Sequence, residues 1–208
     1  MNMVVGRPRT FDIDKALDRA LMVFWRKGYE GTSLADLTNA MGINRPSLYA
    51  AFGNKEDLFR RVLDYYSQRH MAFIGDALNQ PTAWSVADHL LNGAADMLSD
   101  PGTPPGCLMV QGALSCGDNA DCIRREMITR RAVGEAAIRE RLERARSEGD
   151  LPANAYPADL ALYLMTVIHG MSVQAASGAT HDELRRIVKA AMRSWPKQGS
   201  VYQKNGYR

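Results

Sequence analysis

Several things are scarce in this chain of 208 residues, and each scarcity excludes something. Cysteine occurs three times, at Cys107, Cys116 and Cys122. An odd count in a chain this long cannot close a disulfide framework, so a reducing, cytoplasmic setting is expected. There is no Cys-x-x-Cys pair and the spacing matches no zinc pattern, so neither a metal site nor a cofactor is expected. No stretch approaches the ~20 apolar residues that span a bilayer, so no membrane association is expected. The N-terminus carries Gly6, Arg7, Pro8 and Arg9 and lacks the apolar centre of a secretory signal. Valine and isoleucine number 19, against 57 alanines, leucines and methionines. There is no apolar–polar alternation and no Asn-Gly hairpin between apolar strands. Helix formers dominate, and an all-α fold follows. No Gly-rich phosphate fingerprint follows a strand, which excludes a Rossmann or phosphate-loop enzyme.

What is present suits a folded chain: 46% apolar residues, 24% charged residues and a net charge of +3. The positive surplus lies wholly within residues 1–61, and the remainder is neutral. Such an imbalance matters only where a nucleic-acid motif coincides with it.

The first third reads as three short helices. Asp12 can cap the first, whose apolar stripe is Ile13, Leu17, Ala20, Leu21 and Phe24, and Gly28 ends it. Ser33 with Asp36 resembles a capping box for the second, although Asp is shorter than the usual Glu. Leu34, Leu37 and Met41 face one way, and Gly42 closes that helix. The third runs from Arg45 to Phe52, with Asn44 as cap and Pro46 tolerated in the first turn. Leu48 and Phe52 point inward, which leaves Arg45, Ser47, Tyr49 and Ala50 outward.

Two short helices around a glycine-containing turn form a helix-turn-helix, whose second helix enters a major groove. Arg45 suits a guanine edge and Ser47 a base or phosphate. Tyr49, Lys55 and the turn near Thr32 suit phosphates, and Asn54 opens a further helix whose N–H groups aim at the same phosphate. The candidate DNA face is therefore Thr32, Ser33, Asn44, Arg45, Pro46, Ser47, Tyr49 and Lys55, with Arg7 and Arg9 as a basic arm. A plain three-helix surface without a ligand is the competing reading.

The segments Gly28-Tyr29-Glu30-Gly31-Thr32-Ser33-Leu34, Met41-Gly42-Ile43 and Ser47-Leu48-Tyr49-Ala50-Ala51-Phe52-Gly53-Asn54-Lys55-Glu56-Asp57-Leu58-Phe59 resemble the DNA-binding segment of the TetR/AcrR transcriptional regulators. Ala51 stands where histidine is frequent and Asn44 where serine is frequent. The resemblance covers residues 9–60. It implies a dimeric all-α repressor with an N-terminal helix-turn-helix domain and a C-terminal effector-binding and dimerisation domain, and no enzymatic activity.

Boundaries are expected at 1–53 for the DNA-binding domain, 54–196 for the effector domain and 197–208 for a flexible polar tail. Helices are expected over 54–79, 84–98, 106–114, 119–148, 157–177 and 181–195. The arginine-rich 119–148 helix carries (i, i+4) pairs, Glu126–Arg130, Glu135–Arg139 and Glu140–Arg144, and reads as a solvated face. The 157–177 helix is apolar almost all round and must be buried on every side, which a partner chain would achieve. The candidate homodimer interface is Leu160, Tyr163, Leu164, Val167, Met171 and Ala175, with Leu184, Ile187, Val188 and Ala191. The alternative is a central core helix of a monomer.

An unidentified small-molecule effector is expected inside this domain. Candidate lining residues are Trp84, Met97, Cys107, Met109, Gln111, Met127, Met165, His169 and Gln174, each of which also reads as simple core. Cys107 sits at an expected helix start, where the macrodipole lowers a thiol pKa. Some family members with a Gly-Cys-Leu segment there look like sensors of electrophiles or oxidants. Packing as a small hydrophobe is the other reading of Cys107. Two further classes compete with a repressor on double-stranded DNA. An all-α enzyme would need a nucleophile–base pair that cannot be placed, and an adaptor would leave Arg45, Tyr49 and Lys55 without a role.

Overall fold

The computed structural model describes residues 11–114 and 120–196, without the side chains of 112–114. These form ten α-helices, and no strand occurs among them. Asp12 caps α1 (Ile13–Lys27) by accepting from the N–H groups of Asp14 and Lys15. Gly28, at φ 70°, ends it. Ser33 and Asp36 form a complete capping box on α2 (Leu34–Met41), so the shorter carboxylate reaches. Gly42 is left-handed at φ 68° and turns the chain into α3 (Arg45–Phe52). Asn54 and Asp57 form a second box on α4 (Lys55–His70). Phe24 of α1 meets Phe59 of α4 at 4.8 Å, edge to face, and this contact seats the three-helix head on α4.

The helix expected over 54–79 is two helices. α4 stops at His70, Met71 leaves helical geometry at φ −111° and ψ 12°, and α5 (Ala72–Leu78) follows. The break lets α5 lie against α6 (Ala83–Leu98). A Cβ on Gly93 would sit 2.6 Å from the Phe73 ring, so glycine there permits the close approach. α6 is central, with Val86, Ala87, Leu90, Leu91, Ala94 and Ala95 fully buried.

α7 (Leu108–Leu114) starts two residues later than expected, because Gly106 turns at φ 87°. α8 (Asp121–Ser147), α9 (Pro157–Ala176) and α10 (His181–Arg193) complete the body. Arg141 of α8 is buried and donates to the carbonyls of Leu78 (3.1 Å), Gln80 (2.7 Å) and Pro81 (3.1 Å). It clamps α8 to the α5–α6 turn, where the free carbonyls of a helix end attract a cation.

Two surface expectations shift. Glu126 pairs with Arg130 at 2.8 Å, but Arg139 and Arg144 turn the other way, to Glu143 and Glu148. Pairs of either direction differ by only tenths of a kcal/mol on a solvated face, so the spacing does not fix the partner. α9 is not buried on every side. Leu164, Met171 and Ala175 lie in this chain's own core, while Leu162 and Val173 stay about half exposed, at 56% and 49%. Leu184, Val188 and Ala191 of α10 are likewise internal. Of the expected dimer residues, Leu160, Tyr163, Val167 and Ile187 keep partly open surface.

Candidate nucleic-acid interface and effector interior

The outward face of α3 is built by its inward one. Leu48 and Phe52 are buried to 0% and 1% exposure, which turns Arg45, Pro46, Ser47 and Tyr49 toward solvent. Arg45 has no ion pair or hydrogen bond among the described residues, and Tyr49 is 49% exposed. Lys55, at the start of α4, holds its ammonium 4.4 Å over the Tyr29 ring, on the same side as the turn before α2.

Three expected DNA-face residues are committed elsewhere. The Thr32 hydroxyl donates to the Gly28 carbonyl at 2.7 Å and the residue is buried, so its side chain does not reach outward. Ser33 and Asn44 spend their side-chain oxygens as caps, on the N–H groups of Asp36 and Ser47. Asp36 also takes a bond from Lys27, which holds its carboxyl far below the usual carboxylate range. Arg7 and Arg9 lie outside the described residues.

The expected effector residues do not converge on one place. Trp84 stands at the surface end of α6, 49% exposed, because it falls opposite the stripe of Ala83, Val86, Ala87 and Leu90. Gln174 opens onto the α9–α10 groove, a cleft of about 590 Å³ shared with Ile187 and Ala190. Tyr163 and Leu160 border a second cleft of about 460 Å³ at the other end of α9, with Tyr156, Asp159 and Trp195. Met127 and Met109 are packed core. Gln111 donates to the Pro105 carbonyl at 3.2 Å, fixing the loop before α7. Met97, Met165 and His169 are half-buried.

Cys107 is buried and doubly held. Its N–H donates to the Ser172 hydroxyl at 2.8 Å, and its sulfur accepts from the Tyr66 hydroxyl at 3.2 Å. The helix-start N–H groups do favour the thiolate, as the macrodipole argument requires. Burial outweighs them and pushes the thiol above its ordinary value. A thiolate activated by its helix is therefore not what the fold provides. Cys122 is exposed, Cys116 lies outside the described residues, and no metal-holding cluster occurs among the described ones.

Sequence reasoning missed the junction between head and body. The Trp25 indole of α1 donates to the Gly106 carbonyl at 3.1 Å. Its ring stands edge-on to Tyr66 at 4.9 Å and His70 at 5.1 Å. Burial pulls His70 below the ordinary histidine value. The apolar stripe expected for α1 leaves Trp25 out, and only the long-range fold gives the polar ends of Trp25 and Tyr66 their partners.

Residues 16–62 match the family model for bacterial regulatory proteins of the tetR family, and residues 88–191 match the tetracyclin repressor-like C-terminal domain. It is similar to the HTH-type transcriptional repressor ComR of Escherichia coli K12, 37% identical over 92% of each chain. It is also similar to the repressor BdcR of the same strain, 31% identical over 87% of each chain. Among solved structures, a cysteine-substituted form of the TetR family transcriptional regulator CifR, complexed with 26 bp operator DNA, is 41% identical. The match covers 91% of this chain and all of that one, with a TM-score of 0.87.

Proposed function

Since the chain belongs to the TetR family of transcriptional regulators, we propose that it represses transcription as a homodimer bound to near-palindromic double-stranded DNA, and that a small molecule releases it. The observation that carries this reading is the exposed face of α3, with Arg45, Ser47 and Tyr49 unburied beside Lys55. Two such helices about 34 Å apart read successive major grooves. Among the described residues no helix is long and apolar enough to cross a membrane, and we place the protein with the chromosome in the cytoplasm.

The partner face is the open strip of α9, around Leu162, Thr166 and Val173, with Tyr163, Val167 and Ile187 beside it. Leu162 and Val173 are large apolar side chains left in water by one chain alone.

Release needs only modest coupling. A hundredfold loss of operator affinity corresponds to about 2.7 kcal/mol. The contacts that transmit it are Trp25 to Gly106 and Tyr66 to Cys107, which tie α1 and α4 to the loop that opens α7. A shift of that loop cannot leave the head where it was.

The test is a salt titration of binding to a duplex carrying the operator. A repressor loses affinity linearly in log salt, with Lys55→Ala lowering the slope by about one contact and Arg45→Ala relaxing sequence preference. Salt-independent binding, or none to any duplex, overturns the reading.

A further inference from the structure

The chain breaks at Met71, between the helix that carries the head and the one that opens the body, and no side-chain cap stiffens the start of α5 there. Non-helical residues at the end of an element are where a chain hinges. α8 holds both sides of this break. On the body side the buried Arg141 donates to the carbonyls of Leu78, Gln80 and Pro81, at and just beyond the end of α5. On the head side Arg130 donates from Nη1 to Asp64 Oδ1 of α4 at 2.7 Å. Its Nε donates to Glu126 Oε1, one turn back on α8, at 2.8 Å, which steadies the guanidinium.

The spacing suits a brace. Arg130 and Arg141 are eleven residues apart, so they leave the same face of α8 about three turns and about 16 Å from each other. Asp64 stands seven residues before Met71 and Leu78 seven after it. One unbroken helix therefore spans the break. The neighbouring pairs do no such thing. Arg124, Arg125, Arg139 and Arg144 meet carboxylates within a turn of themselves, with side chains 47% or more exposed. Arg130 is only 24% exposed and makes the one hydrogen-bonded link between α4 and α8 among the described residues. The other hold on α4 is Tyr66, whose hydroxyl donates to the Cys107 sulfur. Asp64 and Tyr66 project about 200° apart around α4, so the two holds act on opposite sides of it.

We propose that Arg130 is a positioning residue for DNA recognition: by pinning Asp64 it makes α8 a splint across the Met71 break and fixes the angle at which α4 presents the α3 face. The inference rests on the reading of the chain as an operator-binding repressor. Arg130 acts through α4 and not on the duplex. Asp64 lies nine residues, about 14 Å, along α4 from Lys55, beyond the ~8 Å over which charges are felt at physiological salt. A head that is not held at one angle must be ordered when it binds, and that ordering weakens binding.

The test measures operator affinity and amide hydrogen exchange on the full chain. Arg130→Gln and Asp64→Asn should each weaken operator binding about threefold to fivefold, the modest scale of a partly exposed ion pair. The double substitution should lose no more than either single one, and Asp64→Glu, which keeps the carboxylate, should retain affinity. The salt slope should stay that of the parent in Arg130→Gln, since no phosphate contact is lost, whereas Lys55→Ala lowers it. Arg139→Gln removes a comparable pair that bridges nothing and should leave affinity unchanged. Without DNA, amides of residues 64–71 should exchange faster in Arg130→Gln and not in Arg139→Gln. Unchanged or raised affinity in the single variants, additive losses in the double one, an equal loss in Arg139→Gln, or unchanged exchange overturns the proposal. Failure of the parent to bind any duplex strikes the repressor reading instead, and the exchange measurement then decides alone whether Arg130 braces α4.

Discussion

The head of the molecule and the middle of its body follow different rules. In α1 to α4 every helix starts on a side-chain cap, Asp12, Ser33, Asn44 and Asn54. The apolar stripes there are sealed, with Leu21, Phe24, Leu37, Leu48 and Phe59 fully buried. α8 and α9 start on Ala120 and Tyr156 without a side-chain cap, and neither 128–137 nor 165–170 holds a buried residue. A surface that reads DNA must be presented rigidly, so local signals and packing agree throughout it. In the middles of α8 and α9 the chain leaves many side chains half-buried, and there the local signals stop short of the structure.

Substitutions sharpen that contrast, and the largest effect belongs to the head. Phe24→Ala should cost about 3–5 kcal/mol in urea denaturation, the usual range for deleting a fully buried aromatic ring. Met165→Ala, on the open stretch of α9, should cost less than about 1 kcal/mol, since no tight cavity is created. Equal costs would break the comparison. Next, Arg141→Met should destabilise by about 2 kcal/mol, because it strands three carbonyls at the α5–α6 turn that only the guanidinium satisfies. An unchanged denaturation midpoint would show that water replaces the clamp.

Trp25→Phe keeps a ring but deletes the bond to Gly106, at about 1 kcal/mol. Its sharper readout is cooperativity. With that tie cut, head and body should unfold at separate denaturant concentrations when followed by different probes. A single transition would mean that the α1–α4 packing alone joins them.

The smallest effect is one of pH. Burial depresses the folded-state pKa of His70 below its ordinary value of 6.5. Its contribution is therefore complete above the unfolded value and is lost as pH falls through the folded one. His70→Phe, which keeps a ring against Trp25 and Tyr66, should flatten the fall in melting temperature between about pH 6.5 and 5. An unaltered slope would point to His169, which burial also depresses.

Much of the head was legible from residues alone. The caps, the glycine stops and the inward pair Leu48–Phe52 are local facts, decided within one turn of chain, and the helices fall where the spacing puts them. Thr32, expected near a phosphate through the turn it opens, has its side chain buried and its hydroxyl closing the Gly28 turn. The body was harder. The dimer face was misjudged because an all-apolar helix does not reveal which side its own chain covers. Leu164, Met171 and Ala175 proved internal, and Leu162 and Val173 open. The arginine-rich helix read as a solvated face, and for most of its arginines that is right. Arg141 differs: it is buried, on the side of α8 that meets the α5–α6 turn, and its carbonyl partners lie about sixty residues away in sequence. Met71 gives no breaker signal, and the Phe73 ring that lies against Gly93 just beyond the break meets a residue twenty positions away.

The joint between α3 and α4 has a mechanical consequence. Only Gly53 and Asn54 separate the two helices, and the Arg61 guanidinium grips the Ala51 carbonyl at 3.1 Å across the bend. There is no slack in that elbow. α4, at 16 residues, is about 24 Å long, so a swing of about 10° displaces one end by about 4 Å relative to the other. A crank of that throw, turned in two subunits at once, moves both reading helices out of step with the pitch of the duplex.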